Sequence, residues 1–474
     1  MSVFPDGFLL GVTTSAFQIE GASDEDGKGP SIWDRLLSEQ PELVRDASEI
    51  GVAADAYHLF AEDVRLIKDL KFDSYKFSIS WSRILPNGDI SCINQKGVDH
   101  YGKLIDELIE HGIIPMVTLY HFDLPAKLQE LGGWCNSLLI DYFVDYARLM
   151  FRCYGDKVKW WTTFNEPLEI VHGYTDRRYA PYLSLECFDA DYIVGHNILK
   201  AHAAVYRMYR ESFYAQQNGK ISIILSGMNF EPKSENDADQ QAAQVARQFT
   251  MGWFAHPIFS SHGDYPPIMR ELIDQNSQDD PKHGSKLPRF SQQEIEQIKG
   301  SCDFFALNHY SSAVVSPLVD GQSSPFRMRY AKVMLEFRKE WPSTGAHWSR
   351  VVPSGFKQML LWIQKEFNNP PVYVYENGYC DNGQIRDIER ISFYKGYLKN
   401  LLEAINEHKC NIIGYHLWTL LDAFEWLNGY SDRYGIVSVD YDDPKRTRKP
   451  KLSALFWKKI CENRSIPEEE FFQE

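Results

Sequence analysis

Eight short apolar runs rich in aromatic and β-branched residues recur along the 474-residue chain, at 8–14, 74–81, 114–121, 160–167, 220–226, 304–310, 372–378 and 412–418. Between several of them lie longer stretches with apolar residues at helical spacing, at 54–70, 97–111, 137–151 and 191–209. Strands that read as continuous apolar runs are buried on both faces, and strands alternating with helices build a parallel sheet. Eight such units predict an α/β chain folded as a (β/α)8 barrel, taken as a single domain over 1–474 because no low-complexity linker or repeat divides it. The long polar segments at 21–51, 261–288, 321–353 and 425–450 are expected to be loops at one end, walling a cleft.

Chemistry in such barrels sits where strands stop. The fourth run, Trp160-Trp161-Thr162-Thr163-Phe164-Asn165-Glu166-Pro167, ends in polar residues closed off by a proline. The seventh, Val372-Tyr373-Val374-Tyr375-Glu376-Asn377-Gly378, has the same form. One glutamate before a proline is more often a turn or helix-start residue. Two strand-end glutamates on one rim suggest the paired carboxylates of glycoside hydrolysis.

The formal net charge is -15, which argues against a nucleic-acid partner and against an anionic membrane surface. No run reaches transmembrane length, and the first residues lack the charged and apolar regions of a signal peptide. The chain as it stands therefore reads as cytoplasmic, while removal of a leader and the sequon at Asn463 would fit secretion. The eight cysteines are dispersed with no Cys-x-x-Cys pair, so free thiols, mostly buried, are expected. Lys28 lies in a glycine-containing stretch that lacks phosphate-loop spacing, and His196 and His202 are six apart rather than four. No metal and no cofactor is expected. The run Glu468-Glu469-Glu470 reads as a solvated tail. A homodimer is compatible with the sequence.

Motifs spread over the chain sharpen this reading: Phe17-Gln18-Ile19-Glu20-Gly21-Ala22, Phe77-Ser78-Ile79-Ser80-Trp81-Ser82-Arg83, Thr163-Phe164-Asn165-Glu166-Pro167, Glu376-Asn377-Gly378 and Phe424-Glu425-Trp426. In this order they resemble glycoside hydrolase family one, of the retaining β-glucosidase type and animal-like. The resemblance implies Glu166 as general acid/base and Glu376 as nucleophile, with Lys76, Asn308 and Tyr310 around the nucleophile. It also implies that Gln18, His121, Asn165, Glu425 and Trp426 bind sugar hydroxyls and that Trp418 lies under the ring. The expected partner is a small-molecule glycoside, and the expected reaction is hydrolysis of β-D-glucosides, with β-fucosides and galactosides as further candidates.

Four positions depart from the family pattern: Lys76 for arginine, Phe122 for tryptophan, Tyr375 for threonine and Ala423 for asparagine. They keep open a catalytically weak glycoside-binding relative, and transglycosylation differs only in what displaces the sugar. A myrosinase-like thioglucosidase is a further alternative, with Arg177 and Arg178 facing a sulfated aglycone.

Overall fold

In the computed structural model, the described residues are 3–176, 179–181, 190–277, 285–319, 324–325, 328 and 330–467. Arg177, Arg178, Cys187 and Glu468 to Glu470 lie outside them. Eight parallel strands close into a barrel: β1 (Leu9–Thr13), β2 (Ser74–Ser78), β3 (Ile114–Tyr120), β4 (Trp160–Asn165), β5 (Lys220–Ser226), β6 (Phe305–Asn308), β7 (Val372–Glu376) and β8 (Ile412–Trp418). Each pairs with the next in sequence, and β8 returns to β1 with Leu9 opposite Gly414. All eight apolar runs are thus barrel strands.

Met116, Ile224, Phe304, Ala306, Tyr373 and Tyr375 form a small apolar cluster inside the barrel, separate from the larger core under the helices. Two glycines make room for large groups there. A Cβ on Gly414 would meet the Tyr373 ring at 2.4 Å, and one on Gly11 would meet His416 at 2.0 Å. His416 uses that space to join Ser74 and Tyr373 through its Nε2 at 2.8 and 3.0 Å.

The helices anticipated from spacing are Ala56–Asp69, Gln95–Glu110, Leu139–Tyr154 and Ala190–Ser212. Gln95–Glu110 shows why: His100, Tyr101, Leu104, Ile105 and Leu108 form one buried stripe. Among the described residues no helix is long and apolar enough to cross a membrane. Among the described cysteines, all free, Cys380, Cys410 and Cys461 are buried, Cys135 and Cys302 half-buried, and Cys92 and Cys153 exposed, so fewer are buried than expected.

The long segments are less loop-like than expected. The first contains helix Ile32–Glu39, started by a reciprocal cap in which Asp34 N–H donates to Ser31 Oγ and Ser31 N–H to Asp34 Oδ2. The second contains helix Pro267–Ser277. The fourth contains the strand pair Val437–Val439 and Arg448–Pro450. The third supplies strand Val333–Glu336, which pairs antiparallel with Ser312–Pro317, itself parallel to Asn229–Pro232. Strands this short carry too little alternation to be read from sequence. This accessory sheet has two unlike faces. Lys233 pairs with Glu336 at 3.0 Å and Arg338 with Glu231 at 3.5 Å on one face, while Phe230 and Leu335 have the opposite parity.

Candidate active site

The ends of the barrel strands and the residues just after them meet at one cavity of about 750 Å³. It is bordered by Gln18, His121, Asn165, Glu166, Asn308, Tyr310, Glu376, Trp418, Glu425 and Trp426. Lys76, in the middle of β2, lies fully buried beneath them. Residues separated by hundreds of positions are brought together because every strand points its C-terminal end the same way.

Glu166 is placed by a sharp change of backbone. β4 stops at Asn165, Pro167 opens helix Pro167–Thr175, and Glu166 between them adopts φ 48°. Proline is suited to that first helical position because its missing N–H is not needed there. Phe122 and Trp426 also have left-handed backbones, with φ 70° and 51°. Positive φ is unfavourable for large side chains and gathers at functional sites. Sequence patterns carry no signal for it.

Hydrogen bonds link the two glutamates. Tyr310 OH donates to Glu376 Oε2 at 2.8 Å, and Lys76 Nζ donates to Glu376 Oε1 at 3.1 Å. Lys76 Nζ also lies 3.4 Å from Asn165 Oδ1. That oxygen accepts from Asn308 Nδ2 at 3.3 Å, and the same amide donates to Glu166 Oε1 at 2.6 Å. Asn308 therefore serves Glu166, not Glu376 as expected from sequence. The two residues are neighbours across the β6–β7 ladder, but both Glu376 oxygens already have donors, and the Asn308 amide turns to the other carboxyl.

Burial, reinforced by the Glu376 charge, holds the Glu166 carboxyl well above the usual carboxylate range. Burial pulls the Lys76 ammonium down from its usual value, and the Glu376 carboxylate opposes that fall. Two carboxyl groups of one residue type are thus given unlike surroundings, one favouring a proton and one supplied with a cation and a hydroxyl.

The remaining wall offers hydrogen-bonding groups and flat faces. Ser15 Oγ donates to Gln18 Oε1 at 2.7 Å, which turns the Gln18 amide so that its Nε2 donates to Glu425 Oε2 at 3.0 Å. Burial and the Asp432 charge push Glu425 up to about 8, so near neutrality its carboxyl can both donate and accept. His121 is kept neutral by burial and by Lys76. Its Nδ1 is 3.5 Å from Lys76 Nζ and its Nε2 is 3.3 Å from Asn165 Nδ2. Both neighbours are donors and a neutral ring accepts at only one nitrogen, which leaves one ring N–H for a ligand oxygen. The His121 ring stacks with Trp418 at 6.0 Å and Trp426 at 6.1 Å, and Trp426 stacks on Phe17 at 5.6 Å.

Of the departures, Lys76 aims its ammonium at Glu376, and Phe122 packs against His121 and Trp426. Tyr375 turns into the barrel interior, its OH reaching Met116 Sδ at 3.6 Å. Ala423 is buried in the main core. Sequence reasoning assigns no role to the cluster in which Arg83 Nε and Tyr101 OH donate to Glu20 at 3.0 and 2.6 Å. The Arg83 guanidinium also holds the Gly21 and Ala22 carbonyls, which ties down the loop after Gln18. Glu20 and Arg83 lie in the quoted motifs, and their opposite charges were the available signal.

The chain is 46% identical over 459 residues to Myrosinase 1 of Brevicoryne brassicae, covering 96% of this chain and 98% of that protein. It is 38% identical to the cytosolic beta-glucosidase of Cavia porcellus, covering 98% and 99% respectively. Among solved structures, a mutant of rice Os3BGlu6 beta-glucosidase in a covalent complex with Glc superimposes with a TM-score of 0.89 at 37% identity, covering 97% of this chain and 99% of that one. The sequence profile of glycosyl hydrolase family 1 matches residues 1–466, and the chain belongs to that family.

Proposed function

We propose that this chain hydrolyses β-D-glucosides by double displacement, acting as one barrel domain over 1–474, with Glu376 as nucleophile and Glu166 as acid/base. The observation that carries the assignment is the unequal setting of the two carboxyls. Glu376 is held by Lys76 and Tyr310, while burial and the Glu376 charge raise the proton affinity of Glu166. In the first step Glu376 attacks the anomeric carbon as Glu166 gives its proton to the leaving oxygen. The sugar is then an ester of Glu376, whose negative charge is gone, and Glu166 takes a proton from the water that attacks next. Gln18, His121, Asn165, Glu425 and Trp426 hold the hydroxyls, with Trp418 against the ring.

The product decides the assignment. Proton NMR of a β-glucoside reaction should show β-glucose first, with the α-anomer growing later by mutarotation. An α-anomer appearing first would overturn it. Turnover of a chromogenic aryl β-glucoside excludes the reading as a binding protein without catalysis.

A thioglucosidase is the second reading, supported by the 46% identity to a myrosinase. A protonated Glu166 favours oxygen glycosides instead, because an alkoxide leaving group needs a proton far more than a thiolate does.

Lys76 contributes a point charge where arginine would offer a planar fork. Its ammonium already reaches Glu376 at 3.1 Å, giving the nucleophile one contact where a fork could give two. A misplaced catalytic group can cost up to about 100-fold, and Lys76→Arg is expected to raise kcat/KM by about tenfold at most. Because burial lowers the lysine's proton affinity, activity that depends on its charge is lost as pH rises. Assayed with dinitrophenyl β-glucoside, whose leaving group does not need the Glu166 proton, the variant should therefore stay active to higher pH. Superimposable pH–rate profiles would refute this role.

A further inference from the structure

The cavity continues outward from Glu166 well beyond the space one sugar ring needs, and its outer walls change character. Met228, Phe230, Leu335 and Phe337 border it on the side of the accessory sheet, with Leu168 and Met328 nearby. Residues 228 and 230, and 335 and 337, each have the two-residue spacing that puts side chains on one face of a strand. The charged residues in and just after these strands, Glu231, Lys233, Glu336 and Arg338, have the opposite parity and pair with one another. The sheet thus presents its apolar face to the cavity and its ion pairs away from it.

Among the described residues, cations are sparse on this side. Arg350 lies over the Phe337 ring, 4.3 Å from its centre, and donates to the carbonyls of His347 and Ser349. Among the described residues bordering the cavity, Arg45 is the one lysine or arginine, and it is paired with Asp432 at 3.3 Å. A sulfated leaving group would need a fixed cation, and a second sugar would need a file of polar groups along this wall. The sheet face supplies neither.

We infer that the accessory sheet selects the leaving group, and that the substrate class is β-glucosides of uncharged, apolar alcohols with an extended hydrocarbon part. This rests on the glycosidase reading above and adds what that reading leaves open. Hydrocarbon bound along Met228, Phe230, Leu335 and Phe337 leaves water as it binds, and the gain grows with its length.

The test is a series of butyl, hexyl and octyl β-glucosides, whose alcohols differ little as leaving groups. A buried methylene is worth about 0.8 kcal/mol, close to fourfold, so kcat/KM is expected to rise by up to about 200-fold over the four methylenes from butyl to octyl. Octyl glucoside should also exceed cellobiose and an aryl β-glucoside carrying a sulfate ester. In Leu335→Asp and, separately, Phe337→Ala, the octyl-to-butyl ratio within each variant should fall toward one. Dinitrophenyl β-glucoside serves as the reference for catalysis itself. If it is cleaved but the alkyl series is flat, or cellobiose or the sulfated glucoside is preferred, the inference is overturned while the glycosidase reading stands. If the wild-type enzyme does not cleave dinitrophenyl β-glucoside, the glycosidase reading falls and the inference falls with it.

Discussion

Glu376→Gln is expected to abolish turnover of every glycoside, whatever its leaving group, with a loss on the order of 10⁵-fold or more, as when a hydrolase loses its covalent nucleophile. The amide is nearly the same size, so binding should survive and be measurable by calorimetry with a slow substrate. A second consequence is electrostatic. The Glu376 charge is the second cause, after burial, of the raised Glu166 carboxyl. Removing it should lower the pKa of Glu166, which carbon NMR of labelled glutamate would read. The direction matters: Glu166 should give up its proton at lower pH in the variant than in the wild type. A Glu166 titration unchanged by the substitution would mean that the two groups do not sense each other. Turnover of dinitrophenyl glucoside at a wild-type rate would mean that Glu376 is not the nucleophile.

The second large effect depends on the substrate. General acid catalysis is worth about 10² to 10⁴-fold, and Glu166→Gln should cost that much for alkyl glucosides, whose alkoxides need the proton. Dinitrophenyl glucoside leaves unaided, so its first step should be spared. Hydrolysis of the glycosyl-enzyme then becomes slow because no base activates water, and a burst followed by a low steady rate with a lowered KM is expected. Azide needs no base and should restore the second step, releasing β-glucosyl azide. For an alkyl glucoside, the part of the basic limb that reports loss of the Glu166 proton should also vanish, leaving the loss that follows the Lys76 charge. Equal losses for dinitrophenyl and alkyl substrates in pre-steady-state measurements would show the roles to be misassigned.

The barrel was legible because each of its strands is a run of apolar residues bounded by polar ones, and burial on both faces demands that pattern. Glu166 and Glu376 stood out for a related reason: each ends such a run, and strand ends converge. Asn308 was placed in the right neighbourhood and given the wrong partner. Position along a strand fixes where a side chain starts, whereas its hydrogen bond depends on which acceptors are already occupied, here by Lys76 and Tyr310. The accessory sheet was invisible, since its strand Val333–Glu336 is four residues long and lies in a segment read as a loop. The positive φ of Phe122 and Trp426 was equally hidden, because neither is a residue type that advertises it.

Those left-handed positions bear on any attempt to make the enzyme withstand heat. Phe122, Glu166 and Trp426 each hold a backbone that glycine or asparagine adopts more readily, at a conformational cost of about 1 kcal/mol or more apiece. A library selected only for surviving high temperature would be drawn toward relaxing these residues, and so toward well-folded barrels that no longer cleave anything. Selection has to demand turnover at every round, because at these three places durability and catalysis pull in opposite directions.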